Sequence, residues 1–546
     1  MAGAGQFEAA LRIVETLRAK GYEAYLAGGC VRDLLLGREP ADYDVATSAT
    51  PDVVLEMFPR TFAVGAHFGV VLVAPDGEDA GFMTEVATYR SDLAYSDGRH
   101  PDAVRYTETA EEDVRRRDFT INGLLLDPAR VFPQGLKPPI ILAGLGTAEA
   151  VPLQNSNADS GTPEIVPHQC TTSVAGSRGL RANDQMIQEK ATVDPSTRPL
   201  RGLAQDDKTV ERIANFCGLA QDDKALGVRD DLRAAVIDYV GGVADLDAGE
   251  VRAIGRPETR FEEDHLRMLR AVRFAARFGF EIEPETKRAI RALASRIHAV
   301  SRERVRDELT KMLTEGRARR AFELLDETGL LTEVLPEIAR MKGVEQPPQY
   351  HPEGDVWVHT LMLLELLEPG CSMTLAWGAL LHDVGKPPTF RQAPDRIRFD
   401  RHAEVGVAMG AEICRRLRFS NDETRQILAL IENHMRFMDA QRMKESTLKR
   451  FFRLERFEEH LALHRMDCLA GSGFLDHWNY VRERLASMTA ETVRPKPLIT
   501  GRELIAAGYK PGAGFREMLR AAEDAQLEGT VATAEEAMRL VREKYP

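Results

Sequence analysis

The spacing of apolar residues changes character along this chain, and that change bounds what the chain can fold into. Up to about residue 133, extended runs such as YEAYLAGG, FGVVLVAP and GFMTEVATY alternate with short helical stretches, beginning with MAGAGQFEAALRIVETLRAKGY. That alternation predicts a compact α/β unit. From about Arg256 the strand signals disappear. Apolar residues then recur at helical spacing through HLRMLRAVRFAARF, RVRDELTKMLTEG, TLMLLELLE and ETRQILALIENHM, which predicts a helical array. The expected fold class is α+β, an α/β head followed by helices. At 546 residues the chain exceeds what one core serves and divides into roughly three to four domains.

Between the two regimes, PLQNSNADSGTPEIVPHQCTTSVAGSRG is rich in Ser, Thr, Asn, Gly and Pro and has no sustained period. It reads as an insertion or linker. The heptapeptide GLAQDDK occurs there twice, at 202–208 and 218–224, too few copies for a solenoid. Hydrophobic residues at 43% and charged residues at 29% are globular values, which argues against wholesale disorder. The net charge of −13 argues against a generally basic nucleic-acid coat, but an acidic chain can still carry a local cationic groove. Six cysteines without a CxxC pair fit a reducing compartment. With no run of about 18 apolar residues to span a membrane, the expected location is the cytoplasm. Oligomeric state leaves no signal in the sequence.

The stretch LAGGCVRDLLLGREPADYDVATSATP carries the first chemistry. Gly28 and Gly29 end a strand and precede a helix expected near Val31, so their backbone N–H groups can approach a phosphate, and Arg32 adds a guanidinium fork. A bare Gly-Gly is more often an ordinary strand-to-helix turn. Downstream, Asp42 and Asp44 sit at i and i+2, on one face of an extended strand. Two carboxylates side by side are costly unless divalent cations neutralise them. In-line nucleotidyl transfer uses two hard cations on such a pair, one at the attacking hydroxyl and one at the leaving pyrophosphate.

This run, Gly28-Gly29-x-Val31-Arg32-Asp33 followed by Gly37 and Asp42-x-Asp44, resembles the signature of bacterial class II tRNA nucleotidyltransferases (CCA-adding enzymes) and the related poly(A) polymerases. In EVATYRSDLAYSDGRHPDAVRY the resemblance makes Glu85 the candidate third acidic residue near Mg²⁺, although it reads equally as an exposed strand carboxylate. EEDVRRRDFTINGLLLDP resembles the family's link from catalytic sheet to helical neck, and implies that Arg117 contacts the nucleotide while Asp118 and Asn122 hold the ribose and backbone. Physically, Arg115 to Arg117 supply forks for phosphates or form a solvated charge run.

FEEDHLRMLRAVRFAARFGF reads as one helix, with Leu266, Leu269, Val272 and Phe274 buried and Asp264, Arg267, Arg270 and Arg273 recurring every third residue on an adjoining face. Asp264 as acceptor and Arg267 as donor can address the Watson–Crick edge of cytosine or adenine. Glu263-Asp264-x-x-Arg267 is similar to the family's nucleotide-selecting motif, which uses these four positions. One departure stands out. Where the family has a short connection, about a hundred residues intervene here before VIDYVGGVADLDAGEVRAIG, a length the loop-closure logarithm tolerates.

Late in the chain His351, His359, His382, His402 and His434 cluster with Asp383 and Asp467, and LLHDVGKP presents one imidazole and one carboxylate at a helix end. This resembles the HD phosphohydrolase domain, and implies His359, His382, Asp383 and Asp467 as ligands with His402 and His434 as accessory histidines. The imidazole-rich set suits a transition metal such as Ni²⁺, Mn²⁺ or Co²⁺. Degenerate HD modules can keep the fold without hydrolysis.

The resemblance implies a nucleotidyltransferase head at 7–128, an insertion at 129–235 and a return strand of the head at 236–255. A nucleotide-selecting, RNA-binding neck and body follow at 256–340, then an HD domain at 341–480 and a helical tail at 481–546. The implied reaction is Mg²⁺-dependent addition of C and A from CTP and ATP to a tRNA 3′ end, with no membrane partner. The alternatives are an A-adding enzyme or poly(A) polymerase, an enzyme that is chiefly an HD phosphohydrolase, and a non-catalytic RNA-binding protein.

Overall fold

The computed structural model describes residues 2–63, 69–74, 83–92, 104–131, 231–349 and 351–546. Both GLAQDDK copies and nearly all of the 129–235 segment lie outside the described residues.

The head is built on strands β1 (Ala24–Ala27), β2 (Asp44–Thr47), β3 (Thr61–Phe62), β4 (Val70–Val73), β5 (Thr84–Thr88), β8 (Leu124–Leu126) and β9 (Val236–Asp238). They form one seven-stranded sheet in the order β3-β4-β5-β2-β1-β8-β9, in which only β2 and β5 run parallel. Two short strands, β6 (Arg90–Asp92) and β7 (Val104–Tyr106), pair separately. Alternation sorts the side chains. Leu26, Val45, Val86 and Leu124 face the main core with Phe7, Val14 and Leu17 of the first helix, while Ala27, Ala46 and Leu125 pack with Ala110 and Val114 on the other side.

The segment after the gap in described residues is fastened to the segment before it. β9 pairs antiparallel with β8, so Leu125 stands opposite Ile237. The helix Gly242–Ala248 then packs on the 3₁₀ turn Thr120–Asn122, so closely that a methyl on Gly242 would run into the Thr120 carbonyl. Thr120 Oγ1 donates to Asp245 Oδ2 at 2.6 Å, and Arg252 pairs with Asp245 at 3.1 Å.

The rest is largely helical. The main core continues through Phe274, Leu309, Phe322 and Trp377 to the helices that carry the histidines, while Phe437, Phe451 and Phe457 centre a second cluster and Leu504, Ala522 and Val541 a third in the C-terminal helices. Two small pairings depart from the expected absence of strands beyond Arg256. Gly279, at φ 72°, ends its helix and lets β11 (Glu281–Ile282) pair parallel with β10 (Glu250–Val251). The Pro394-Asp395 turn joins β12 (Phe390–Gln392) to β13 (Ile397–Phe399). A second departure matters more. The expected single helix over FEEDHLRMLRAVRFAARFGF is two helices, Pro257–Glu263 and Arg267–Phe278, broken at Asp264. There the Asp264 carboxylate accepts the Leu266 N–H at 3.0 Å, a local bond that competes with helix continuation. Leu266, Leu269, Val272 and Phe274 are buried as expected. Among the described residues no helix is long and apolar enough to cross a membrane.

The packing of Gly242 on Thr120 predicts that Gly242→Ala destabilises the protein by about 1–3 kcal/mol, as overpacking against a fixed backbone does. The urea unfolding midpoint measures it, and Gly241→Ala, with open space around its Cβ position but φ at 78°, serves as the comparison for backbone strain alone.

Candidate functional site

At the head, Gly28 holds φ 75° and ψ −124°, a conformation that favours glycine, and the helix Gly29–Leu35 starts at once, two residues before the position expected from sequence. Tyr43 is buried and packs its ring 5.3 Å from that of Phe7, which leaves Asp42 and Asp44 to the opposite side. Asp42 stands just ahead of β2, and Asp44 is its first residue. Val45 pairs with Val86 in parallel register, so one step back Asp44 comes beside Glu85, which is exposed at the rim. Burial, reinforced by the charges of Asp42 and Glu85 and opposed by Arg117, pushes the Asp44 carboxyl up to about 7. Burial and Asp42 also raise Glu85. Asp44 is half-buried while Asp42 and Glu85 are exposed; the three offer the oxygen donors a hard divalent cation takes, although among the described residues the groups drawn close enough to hold an ion are those of the second centre.

The arginines are more occupied than their sequence reading implies. A methyl on Gly28 would meet Arg117 Nη1 at 2.9 Å, so this guanidinium lies directly against the glycine turn. Arg116 and Arg117 both pair with the buried Asp113, at 2.6 and 3.0 Å, and Arg115 pairs with Glu111 at 2.6 Å. Arg32 is turned inward rather than presented as an open fork. It donates to Asn122 Oδ1 and Asp33 and lies 4.5 Å over the Phe278 ring. Asn122 donates in turn to Asp118 at 3.0 Å, and Asp118 pairs with Arg270 at 2.7 Å. Burial raises the Asp118 carboxyl, but Arg270 and Asn122 outweigh it and hold the group at about 2.

Across the helix break the Arg267 N–H still donates to the Asp264 carbonyl at 3.0 Å, but the two side chains expected to read a base are each held by another partner. Asp264 is bonded to Arg304 at 2.8 Å, and Arg267 to Glu263 at 2.6 Å. Arg273 is buried, pairs with Glu308 at 2.7 Å and Glu315 at 3.3 Å, and shares the Phe274 ring with Arg32 and Arg270. Sequence reasoning placed Glu263 in the motif without giving it a role, and missed Arg304 and Asp113. Glu263 and Asp113 each stand four residues before an arginine they hold, a readable spacing, whereas Arg304 is forty residues from Asp264.

The second centre gathers side chains from several helices. His359 lies within Val356–Glu365, His382 caps the end of Met373–Leu381, His402 opens His402–Arg416, His434 follows Asn421–Asn433, and Asp467 lies in Phe457–Ala470. His359 Nε2 is 3.0 Å from Asp467 Oδ1, and His382 Nε2 is 3.2 Å from Asp383 Oδ2. The other Asp383 oxygen is 3.7 Å from His402 and 3.8 Å from His434, whose Nε2 atoms are 3.2 Å apart. Among the described residues three groups are close enough to hold an ion: His359–His382–Asp467 and Asp383–His402–His434, which the Asp383 carboxylate bridges, and His351–Glu353–His359 beside them. Among the described residues, His382 Nε2 and Asp383 Oδ1 are buried without a hydrogen-bond partner, and Lys386 Nζ stands 2.6 Å from Asp383 Oδ2. Burial opposes charge on His359, but Asp467 and Glu353 raise it to about 9. Burial brings His434 down to about 4, leaving a neutral imidazole suited to ligation.

Three family models match successive parts of the chain: the Poly A polymerase head domain at 24–133, the probable RNA and SrmB-binding site of polymerase A at 279–342, and the HD domain at 356–470. A CCA-adding enzyme of Lactobacillus gasseri is 30% identical over 364 residues, which are 66% of this chain and 64% of that protein. The chain thus spans a little under two thirds of the length of this curated relative. The crystal structure of the Bacillus stearothermophilus CCA-adding enzyme in complex with CTP superposes with a TM-score of 0.61 at 22% identity, covering 99% of this chain and 98% of that one. The Thermotoga maritima CCA-adding enzyme complexed with tRNA gives a TM-score of 0.50 at 16% identity, over 98% and 94%. The fold is shared. Head and HD domains of these families imply dependence on divalent metal.

The crowding at Asp44 predicts a pH-dependent cost. Its folded value of about 7 lies above that of a free carboxyl, so ionising it destabilises the metal-free protein as pH rises from about 4 through 7. In chelator, Asp44→Asn should match the parent near pH 4 and exceed it by about 1 kcal/mol at pH 8 in thermal unfolding.

Proposed function

We propose that this chain is a tRNA nucleotidyltransferase of the cytoplasm that adds C and A residues to the tRNA 3′ end. The terminal 3′-hydroxyl attacks the α-phosphate of CTP or ATP, the new phosphodiester forms, and pyrophosphate leaves. The observation that carries this reading is the group Asp42, Asp44 and Glu85 facing Arg117 across the glycine turn. Asp42 and Asp44 would hold Mg²⁺, with Glu85 beside them; when bound, the ion lowers the pKa of the attacking hydroxyl and offsets charge on the leaving group. The backbone N–H of Gly29, together with Arg117, receives the triphosphate, since that of Gly28 is spent on the Leu124 carbonyl at 2.9 Å. Asp118 and Asn122 orient the ribose, and Arg32 and Arg270 hold these two in place.

Asp264 and Arg267 read the base edge, exchanging part of their contact with Arg304 and Glu263 for the nucleotide. Cytosine and adenine both offer an exocyclic amino group to the carboxylate, which uracil and guanine replace with a carbonyl. Relatives named as CCA-adding enzymes, and one solved with CTP and another with tRNA, support both nucleotides and the RNA.

The test is extension of tRNA lacking one, two or three 3′ nucleotides, with each nucleoside triphosphate offered separately. Addition of C, C and A in turn is expected. Addition of A alone, or of an unlimited A tract, would instead identify an A-adding enzyme or a poly(A) polymerase. Asp42→Ala and Asp44→Ala should each abolish incorporation with the fold intact, and Arg267→Ala should raise UTP and GTP misincorporation more than it slows CTP.

The buried, unpartnered donor atoms of His382 and Asp383 support a second activity, metal-dependent phosphoester hydrolysis. His359, His382, Asp383 and Asp467 would hold Ni²⁺, Mn²⁺ or Co²⁺, with His402 and His434 at the adjoining triad. Hydrolysis of 2′,3′-cyclic phosphates or simple phosphoesters in these metals should vanish in the double variant His382→Ala, Asp383→Ala while nucleotide addition stays measurable. A parent protein that hydrolyses none of them leaves the centre without this activity.

A further inference from the structure

Residues 351–355 precede the part of the chain that matches the HD domain, yet one side chain from this turn reaches the metal-binding group. Glu353 Oε1 accepts from two rings at once, His351 Nδ1 at 2.8 Å and His359 Nδ1 at 2.7 Å. The carboxylate side chain is 4% exposed and that of His359 is 0% exposed. The opposite nitrogen of His359 looks into the centre, 3.0 Å from Asp467 Oδ1 and 4.0 Å from Asp383 Oδ2. The turn is fixed at its far end. Asp355 accepts the Val358 N–H at 2.8 Å as the helix cap and the Gly343 N–H at 2.6 Å, so the backbone that carries Glu353 is tied to the helix that carries His359.

The group His351, Glu353 and His359 could hold an ion of its own. The distances favour protons instead. Ligands 2.0–2.1 Å from a tetrahedral cation stand about 3.3 Å apart, whereas 2.7 and 2.8 Å are hydrogen-bond lengths.

We infer that Glu353 is a positioning residue for the HD centre, accepting the Nδ1–H of His359 so that its Nε2 is held as a metal donor, and fixing His351 in the same sense at the rim. This rests on the reading of His359, His382, Asp383 and Asp467 as metal ligands. The physical reason is that an imidazole donates from one nitrogen only if its proton is kept on the other, and a buried carboxylate both selects that tautomer and makes the ring more basic. Glu353 also restrains His359 against rotation toward Asp467 alone. A glutamine in its place can keep one oxygen between the two rings but loses the negative charge that makes His359 more basic, and when flipped it puts an amide N–H there, which favours the wrong tautomer.

The experiment titrates the metal-free full chain with Co²⁺ and follows its visible absorption, with the His382→Ala, Asp383→Ala double variant defining the signal of the head alone. Glu353→Gln and Glu353→Ala are expected to weaken Co²⁺ binding at the HD centre by about 10- to 100-fold, with Glu353→Gln unfolding at the parent temperature. Affinity within twofold of the parent in both variants overturns the positioning role and leaves the metal reading standing. Parent protein that binds Co²⁺ no differently from the double variant overturns both. Should the variants fail to fold, long-range ¹H–¹⁵N correlation spectra of the Zn²⁺-loaded parent read the tautomer directly. His359 protonated at Nδ1 is the required result, and protonation at Nε2 overturns the inference.

Discussion

The ion pair between Asp118 and Arg270 is the joint on which the head and the helices depend. Asp118 follows the Arg115 to Arg117 run at the edge of the head, and Arg270 sits in the helix that follows the break at Asp264. Around this pair the remaining contacts fall into line: Asn122 donates to Asp118 and accepts from Arg32, and Arg32 lies under the glycine turn and over Phe278. The pair is half-buried, and removing Arg270 would leave the less exposed Asp118 charge with Asn122 as its remaining partner. The glycine turn, Asn122 and the helix that follows Asp264 are thus referred to one another through a single carboxylate.

The two centres handle crowded charge in opposite ways. At the head, Asp42, Asp44 and Glu85 share one edge, and the chain's nearest cationic answer, Arg117, is itself shared with Asp113. Negative charge is left in excess there, as a site for a divalent cation must leave it. In the HD centre, carboxylates and imidazoles alternate: burial is outweighed at Asp383 by His382 and Lys386, which hold its carboxyl far below the usual range, and Asp467 is lowered likewise by His359. One centre offers oxygen alone, the other oxygen and imidazole nitrogen together.

Much of this was legible in the sequence, and the exceptions share a cause. Gly28, Asp42 and Asp44 were readable because their chemistry depends on spacings of one and two residues in an extended chain, which the pleat fixes. His359, His382, Asp383 and Asp467 were readable by kind and number. Asp264 was not readable as a helix break, since the periodicity of Leu266, Leu269 and Val272 runs through it and only its own side chain, capping Leu266, interrupts the helix. Arg273 repeats the spacing of Arg267 and Arg270 but meets Glu308, a partner from a helix that nothing near it in sequence announces. Glu353 sits in a turn with no period at all.

The pairing of β8 with β9 also sets an order of events during synthesis. Leu126 leaves the ribosome about a hundred residues before Val236, an interval on the order of ten seconds at ordinary bacterial elongation rates. Through that interval β8 lacks its β9 partner, and the Thr120 turn lacks the helix Gly242–Ala248 that packs on it. An open edge of three leucines is a template for any passing strand. The nascent head therefore has a window of exposure written into its connectivity, and the quality of its folding in the cell is governed by what shields that edge until Val236 arrives.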